Sequence, residues 1–126
     1  MNKRKTLIAG TFLTGLGVAL GAFGAHALKN FLIANSRQET FETAIKYQLI
    51  HGLALMIIGV MMKENTSASL KRISFLLLTG TVLFSGSLYV LVSSGTSPIA
   101  YVTPVGGLFM IIGWLLLLWH FIRSKN

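Results

Sequence analysis

Four apolar runs, residues 6–28, 47–62, 73–92 and 104–122, occupy most of this 126-residue chain and constrain it more than any other feature. A hydrocarbon layer about 30 Å thick is crossed by roughly 20 residues of α-helix at 1.5 Å per residue. Three of the runs meet that length. The second is short unless the polar segment ahead of it is helical and continues into the membrane. Inside lipid the backbone must satisfy its own hydrogen bonds, either within a helix or around a closed barrel. Uninterrupted apolar runs fit helices, whereas barrel strands alternate apolar and polar residues over about ten positions. The expectation is an all-α integral membrane four-helix bundle.

Charge supports this reading. Only 11% of the residues are charged, against about a quarter in a soluble domain, so lipid must cover the surface. The chain leaves no room for a separate soluble domain, and residues 1–126 are expected to form one transmembrane unit. With no cysteine, disulfides, thiolate metal sites and cysteine nucleophiles are excluded. The net charge of +8 does not mark a nucleic-acid binder, because the basic residues sit at helix ends rather than on one face with aromatics between them. Anionic lipid headgroups are the expected partners. Lys3, Arg4, Lys5, Lys63, Lys71, Arg72, Arg123 and Lys125 collect on one side, while the other holds only Lys29, Arg37 and Lys46, offset by Glu39 and Glu42. The positive-inside rule then places both termini in the cytoplasm of a cell whose plasma membrane holds the protein. Ala25-His26-Ala27 after a basic start mimics a signal-peptidase site. The long, glycine-broken run and the three spans that follow make it a retained span instead.

Small residues at Gly10, Thr14, Gly17, Gly21 and Ala25 recur every three or four positions and form one stripe on span one. Glycines on such stripes let helix backbones approach closely, and Gly80, Gly106 and Gly113 are assigned the same packing role. Ser36 and Glu39 fit a capping box, so a helix is expected to start near Arg37 and run through an amphipathic extension into span two. Glu42 and Lys46 would pair on it. Phe41, Ala44, Gln48, His51, Leu55, Ile58 and Met62 share its buried seam. Thr103-Pro104 reads as a cap followed by proline at the first helical position. Tyr47 and Tyr101 mark one membrane interface and Trp119 the other, with His120 beside Arg123 also at an interface. No internal repeat is strong enough to define inverted halves.

The polar residues within the spans are the candidate site. His26, Tyr47, Gln48, His51, Ser85, Ser87, Tyr89 and Thr103 fall towards the outer side of the membrane and could form one cluster between the helices near the outer leaflet. Polar groups in a membrane are costly and often functional. Three uses compete. They tie helices together by hydrogen bonds, they line a proton or small-solute site built around titratable histidine, or His26 and His51 hold a metal or haem. The last lacks the carboxylate or thiolate that usually completes a site, so no metal or cofactor is expected. No nucleophile with an adjacent base, paired carboxylates, phosphate-binding glycine loop or H-E-x-x-H motif is present, which argues against an enzyme.

The blocks GAFGAHALK (21–29), YQLIHGLAL (47–55), LFSGSLYVL (83–91) and TPVGGLFMIIGW (103–114), in that order, resemble the domain of unknown function 423 family. These are small four-helix membrane proteins, mostly bacterial, with a eukaryotic relative called transmembrane protein 256. The resemblance implies a four-span inner-membrane protein with both ends inside, and it brings no reaction with it. It also implies that His26, Tyr47, Gln48, His51, Ser85, Gly86, Ser87, Tyr89, Pro104 and Gly107 belong to a shared pattern. Of the functions open to such a chain, a structural or accessory membrane component that self-associates or docks onto a larger complex is expected first. An oligomeric small-solute or proton-coupled carrier using the polar cluster is the alternative, and haem or metal binding the third.

Overall fold

A computed structural model describes residues 1–63, 68–95 and 97–125. The described chain forms α1 (Lys3–Ala25), α2 (Lys29–Ala34), α3 (Gln38–Met61), α4 (Ala68–Ser94), a short 3-10 helix (Ser97–Tyr101) and α5 (Val102–Arg123). Four of these helices are long and apolar enough to cross a membrane. α3 runs unbroken from the polar connector into the apolar run, which gives the short second span its full length.

Helix ends differ from the sequence expectation in instructive ways. α1 starts at a side-chain cap, with Asn2 Oδ1 accepting from Lys5 N at 2.9 Å, and stops at Ala25 instead of residue 28. The following residues fold into α2, which sequence reading left as connector. The Ser36–Glu39 capping box does not form: Ser36 is left-handed at φ 54°, and the first turn of α3 has no side-chain cap. Ser36 instead ends α2. Arg37 N donates to Leu32 O and Ser36 N to Ile33 O, the paired bonds of a Schellman motif. Glu42 takes a 3.4 Å bond from Gln38 Nε2 and forms no ion pair with Lys46 among the described residues. α5 begins at Val102, so Thr103 is not its cap and Pro104 is its third residue rather than its first, still among the leading amides whose absence costs nothing.

Packing follows chain order. α1 lies on α3, α3 on α4, and α4 on α5. The Met1 amino group donates to Lys71 O at 2.9 Å, so α1 and α4 start at the same end of the bundle. Near this end Leu55, Ile58, Met62, Leu70, Ile73 and Leu77 form the apolar core, joined by Leu13 and Leu117. All seven residues of the seam expected on α3 are buried.

The contacts expose a repeat that the sequence had concealed. A Cβ added at Gly10 would lie 2.7 Å from Gly52 O and 2.8 Å from Met56; one added at Gly80 would lie 2.8 Å from Gly106 O and 2.7 Å from Met110. Leu7 fills the space at Gly59 as Leu77 does at Gly113, and Thr14 meets Gly52 as Phe84 meets Gly106. Every pair is related by an offset of 70 residues in α1 and α4 and of 54 in α3 and α5. Met-Ile-Ile-Gly occurs at both 56–59 and 110–113, and Leu7, Gly10, Thr11 and Leu13 recur as Leu77, Gly80, Thr81 and Leu83. The fold is thus two like hairpins, α1/α3 and α4/α5, that cross the membrane in the same sense. They are parallel repeats rather than inverted ones. The unequal offsets arise because the first connector carries α2 and the second only a 3-10 turn.

Candidate functional site

Thr6 and Ser74 are buried near the terminal end and bond back to Asn2 O and Lys71 O; the oxygen and nitrogen side chains that bond from one helix to another lie further from the termini. Gln48, on the seam of α3, is 2% exposed and reaches both neighbouring helices. Its Nε2 donates to Leu13 O of α1 at 2.8 Å, and its Oε1 accepts from Tyr89 OH of α4 at 2.6 Å. Gly17 lies beside this bond and makes room for Leu49, whose side chain would stand 2.7 Å from a Cβ at that position. One turn before Gln48, Ala44 O accepts from Ser85 Oγ at 2.7 Å. Phe41 meets the Tyr89 ring edge-on at 5.8 Å. α3 and α4 are therefore joined through Ala44–Ser85 and Gln48–Tyr89, and Gln48 extends the chain of bonds to α1.

His51 lies one turn further along and belongs to the same seam. Trp114 Nε1 of α5 donates to His51 Nε2 at 3.0 Å, and the two rings meet edge-on at 5.8 Å. Indole has a donor only, so His51 Nε2 must accept. The proton then sits on Nδ1, which donates to Tyr47 O at 2.7 Å. Both ring nitrogens are engaged and the imidazole is neutral in this arrangement. Tyr47 stacks beside His51 and packs against Phe84 at 4.7 Å between centroids. Between α4 and α5, Ser87 Oγ donates to Phe84 O at 2.8 Å, so its contact with the Thr103 hydroxyl uses the threonine as donor.

The structure thus brings together Tyr47, Gln48, His51, Ser85 and Tyr89, and joins Ser87 to Thr103. His26 stays apart. It follows α1 as the C-terminal cap, exposed, and its side chain makes no hydrogen bond to any described residue. Among the described residues no group of three or more metal-ligating side chains occurs, and no buried side-chain nitrogen or oxygen is left without a partner. Sequence reasoning missed Trp114, a residue that is 41% exposed. Its place beside Gly113 on the α5 stripe was the available signal. Of the stripe on α1, Gly10 and Gly17 meet α3 closely. Gly21 does not: a Cβ there would touch only Ile45, at 3.9 Å.

Residues 20–107 match the family described as "Protein of unknown function (DUF423)". The chain belongs to this family. The match takes in every residue of the polar cluster except Trp114, and it leaves out Gly10, Leu13 and Gly17. Among curated relatives, the chain is 42% identical to "UPF0382 inner membrane protein YgdD" of Escherichia coli K12, over 100% of this chain and 95% of that protein. It is 42% identical to "UPF0382 membrane protein SH2409" of Staphylococcus haemolyticus, over 89% and 90%. A "UPF0382 membrane protein" of Haemophilus influenzae is 38% identical over 99% and 98%. No solved structure matches the chain. Membership establishes a multi-pass membrane protein, and the relatives' names carry no activity.

Proposed function

We propose that this DUF423 protein is a non-catalytic structural or accessory component of the plasma membrane, with both termini cytoplasmic, acting through its outer helix faces rather than through an internal path. The observation that supports it is the closed set of bonds Leu13–Gln48–Tyr89, Ala44–Ser85 and Trp114–His51. A carrier needs hydrated polar groups free to meet a solute, whereas each of these side chains is spent on a neighbouring helix. Such interhelical bonds contribute ~0.6–2 kcal/mol each, enough together to hold one arrangement of the helices. The basic residues at the terminal end support the orientation, through the positive-inside rule.

Because the chain has no cysteine, single cysteines placed on outward positions such as Ile112 and Leu116 give a clean crosslinking test in native membranes. The expected result is capture of a second copy or of one recurrent membrane partner. Purified protein that stays monomeric, with no partner captured from any outer face, would overturn the reading. A companion assay in proteoliposomes is expected to show proton and solute leakage no greater than in empty vesicles. Flux above that level that disappears in His51→Leu would instead establish the carrier.

A further inference from the structure

The two hairpins differ where the first one carries α2. There a partly open groove of about 570 Å³ runs between α1, α2 and α3. Its apolar part is made by Gly21, Leu32, Phe41, Ile45 and Leu49, and its polar end carries Lys29, Gln38, Glu42 and Lys46. We infer that this groove binds one anionic phospholipid, its acyl chain over Gly21 against Ile45 and Leu49 and its phosphate between Lys29 and Lys46. Three observations carry this.

The first is polarity. The groove passes from the apolar run into the connector, so it crosses the boundary at which an amphiphile changes from chain to headgroup. Two lysines stand at the headgroup end. Neither pairs with a carboxylate among the described residues, and Glu42, the one acid on the rim, is engaged by Gln38. A basic side chain near a lipid surface favours an anionic headgroup by about a fivefold factor.

The second is Gly21. The other glycines of its stripe are small because a helix presses on them, yet a Cβ at Gly21 would meet only the Ile45 side chain, at 3.9 Å. At the equivalent place in the second hairpin, 70 residues on, the chain has Leu91. The first half keeps vacant a position that the second half fills with a side chain.

The third is the poor fit of a second copy of this chain. With three acidic residues against eleven lysines and arginines, a second copy would bring mostly positive charge to a rim that already carries two lysines. A phospholipid supplies both an apolar chain and a fixed negative charge.

The inference goes beyond the structural-component reading and does not depend on it, since lipid retention and partner capture are separate measurements. Its test is native mass spectrometry of the full chain released from detergent containing equal amounts of phosphatidylglycerol and phosphatidylethanolamine. The expected result is retention of one phosphatidylglycerol with roughly tenfold preference, from two lysines partly offset by Glu42. Lys29→Gln/Lys46→Gln should abolish the preference while retaining some lipid, and Gly21→Leu should abolish retention of both lipids. Ile45→Phe, which fills the groove from α3, repeats that arm should Gly21→Leu fail to fold. Equal retention of the two lipids, an unchanged preference in the lysine variant, or undiminished retention in the filled-groove variant overturns the inference. Displacement of the lipid by inorganic phosphate alone would also overturn it, because the site would then be reading a free anion.

Discussion

Tyr89 donates its phenolic proton to Gln48 Oε1 across 2.6 Å, and the same glutamine passes its amide proton to Leu13 O, so one α3 side chain links α1 to α4. Replacing Gln48 by leucine removes both bonds and leaves the Tyr89 hydroxyl without its partner in an apolar setting. We expect a loss of about 1–3 kcal/mol in unfolding free energy, read by denaturant titration in mixed micelles. Tyr89→Phe removes one bond and strands the Gln48 oxygen, and should cost about 1–2 kcal/mol. The double variant should cost clearly less than the two singles together, since each single leaves a partner unmet. Additive losses would mean that the two groups do not interact.

His51 and Trp114 make a second checkable pair. The indole N–H can only donate, so the bond at 3.0 Å requires a neutral imidazole with its proton on Nδ1. Nitrogen-15 NMR of histidine-labelled protein should show that tautomer for His51. Trp114→Phe removes the donor that selects it, and is expected to shift the His51 signals and to cost about 1 kcal/mol. A His51 spectrum with the proton on Nε2 would disprove the contact.

The repeat predicts that glycines at matched places respond alike. Gly10→Ala drives a methyl against Gly52 O and the Met56 backbone, and Gly80→Ala drives one against Gly106 O and the Met110 backbone. Each pair of helices must separate, at a cost of about 1–3 kcal/mol, and the two losses should agree closely. Gly15→Ala and Gly86→Ala meet nothing within 4 Å. They remove a mid-helix glycine without a clash and should leave the protein as stable as the parent or up to about 1 kcal/mol more so. Thermal unfolding of the four variants side by side decides it.

What was legible in the sequence is what periodicity encodes. The α3 seam from Phe41 to Met62 follows helical spacing, so its burial could be read before any contact was known. The partners of its polar members could not. Gln48, Ser85 and His51 bond to the carbonyls of Leu13, Ala44 and Tyr47, and every residue offers a carbonyl, so composition carries no mark of which one is used. Trp114 was hidden for a different reason, since an indole on a span with one face in lipid looks like any other apolar side chain. His26 falls inside the apolar run 6–28, yet α1 ends at Ala25, and the side chain is left outside the cluster. The repeat escaped because its two helices shift by 70 and 54 residues, and no single offset aligns both.

Ser36 separates two readings of the same residue, and its substitution tells them apart. As the cap of α3 its side-chain oxygen would accept from an amide at the helix start, and Ser36→Gly would cost a few tenths of a kcal/mol and Ser36→Ala about 1. As the left-handed residue that ends α2, it sits at φ 54°, where a Cβ meets the neighbouring carbonyl at a cost of roughly 1–2 kcal/mol that glycine does not incur. The bonds from Ser36 N and Arg37 N back to Ile33 and Leu32 persist whatever the side chain. Ser36→Gly should therefore stabilise the protein, by about 0.5–1 kcal/mol once glycine's greater freedom in the unfolded chain is subtracted. The same variant should leave the α2 fold in place, seen as unchanged amide exchange at Arg37. Destabilisation by Ser36→Gly would return the residue to the capping box.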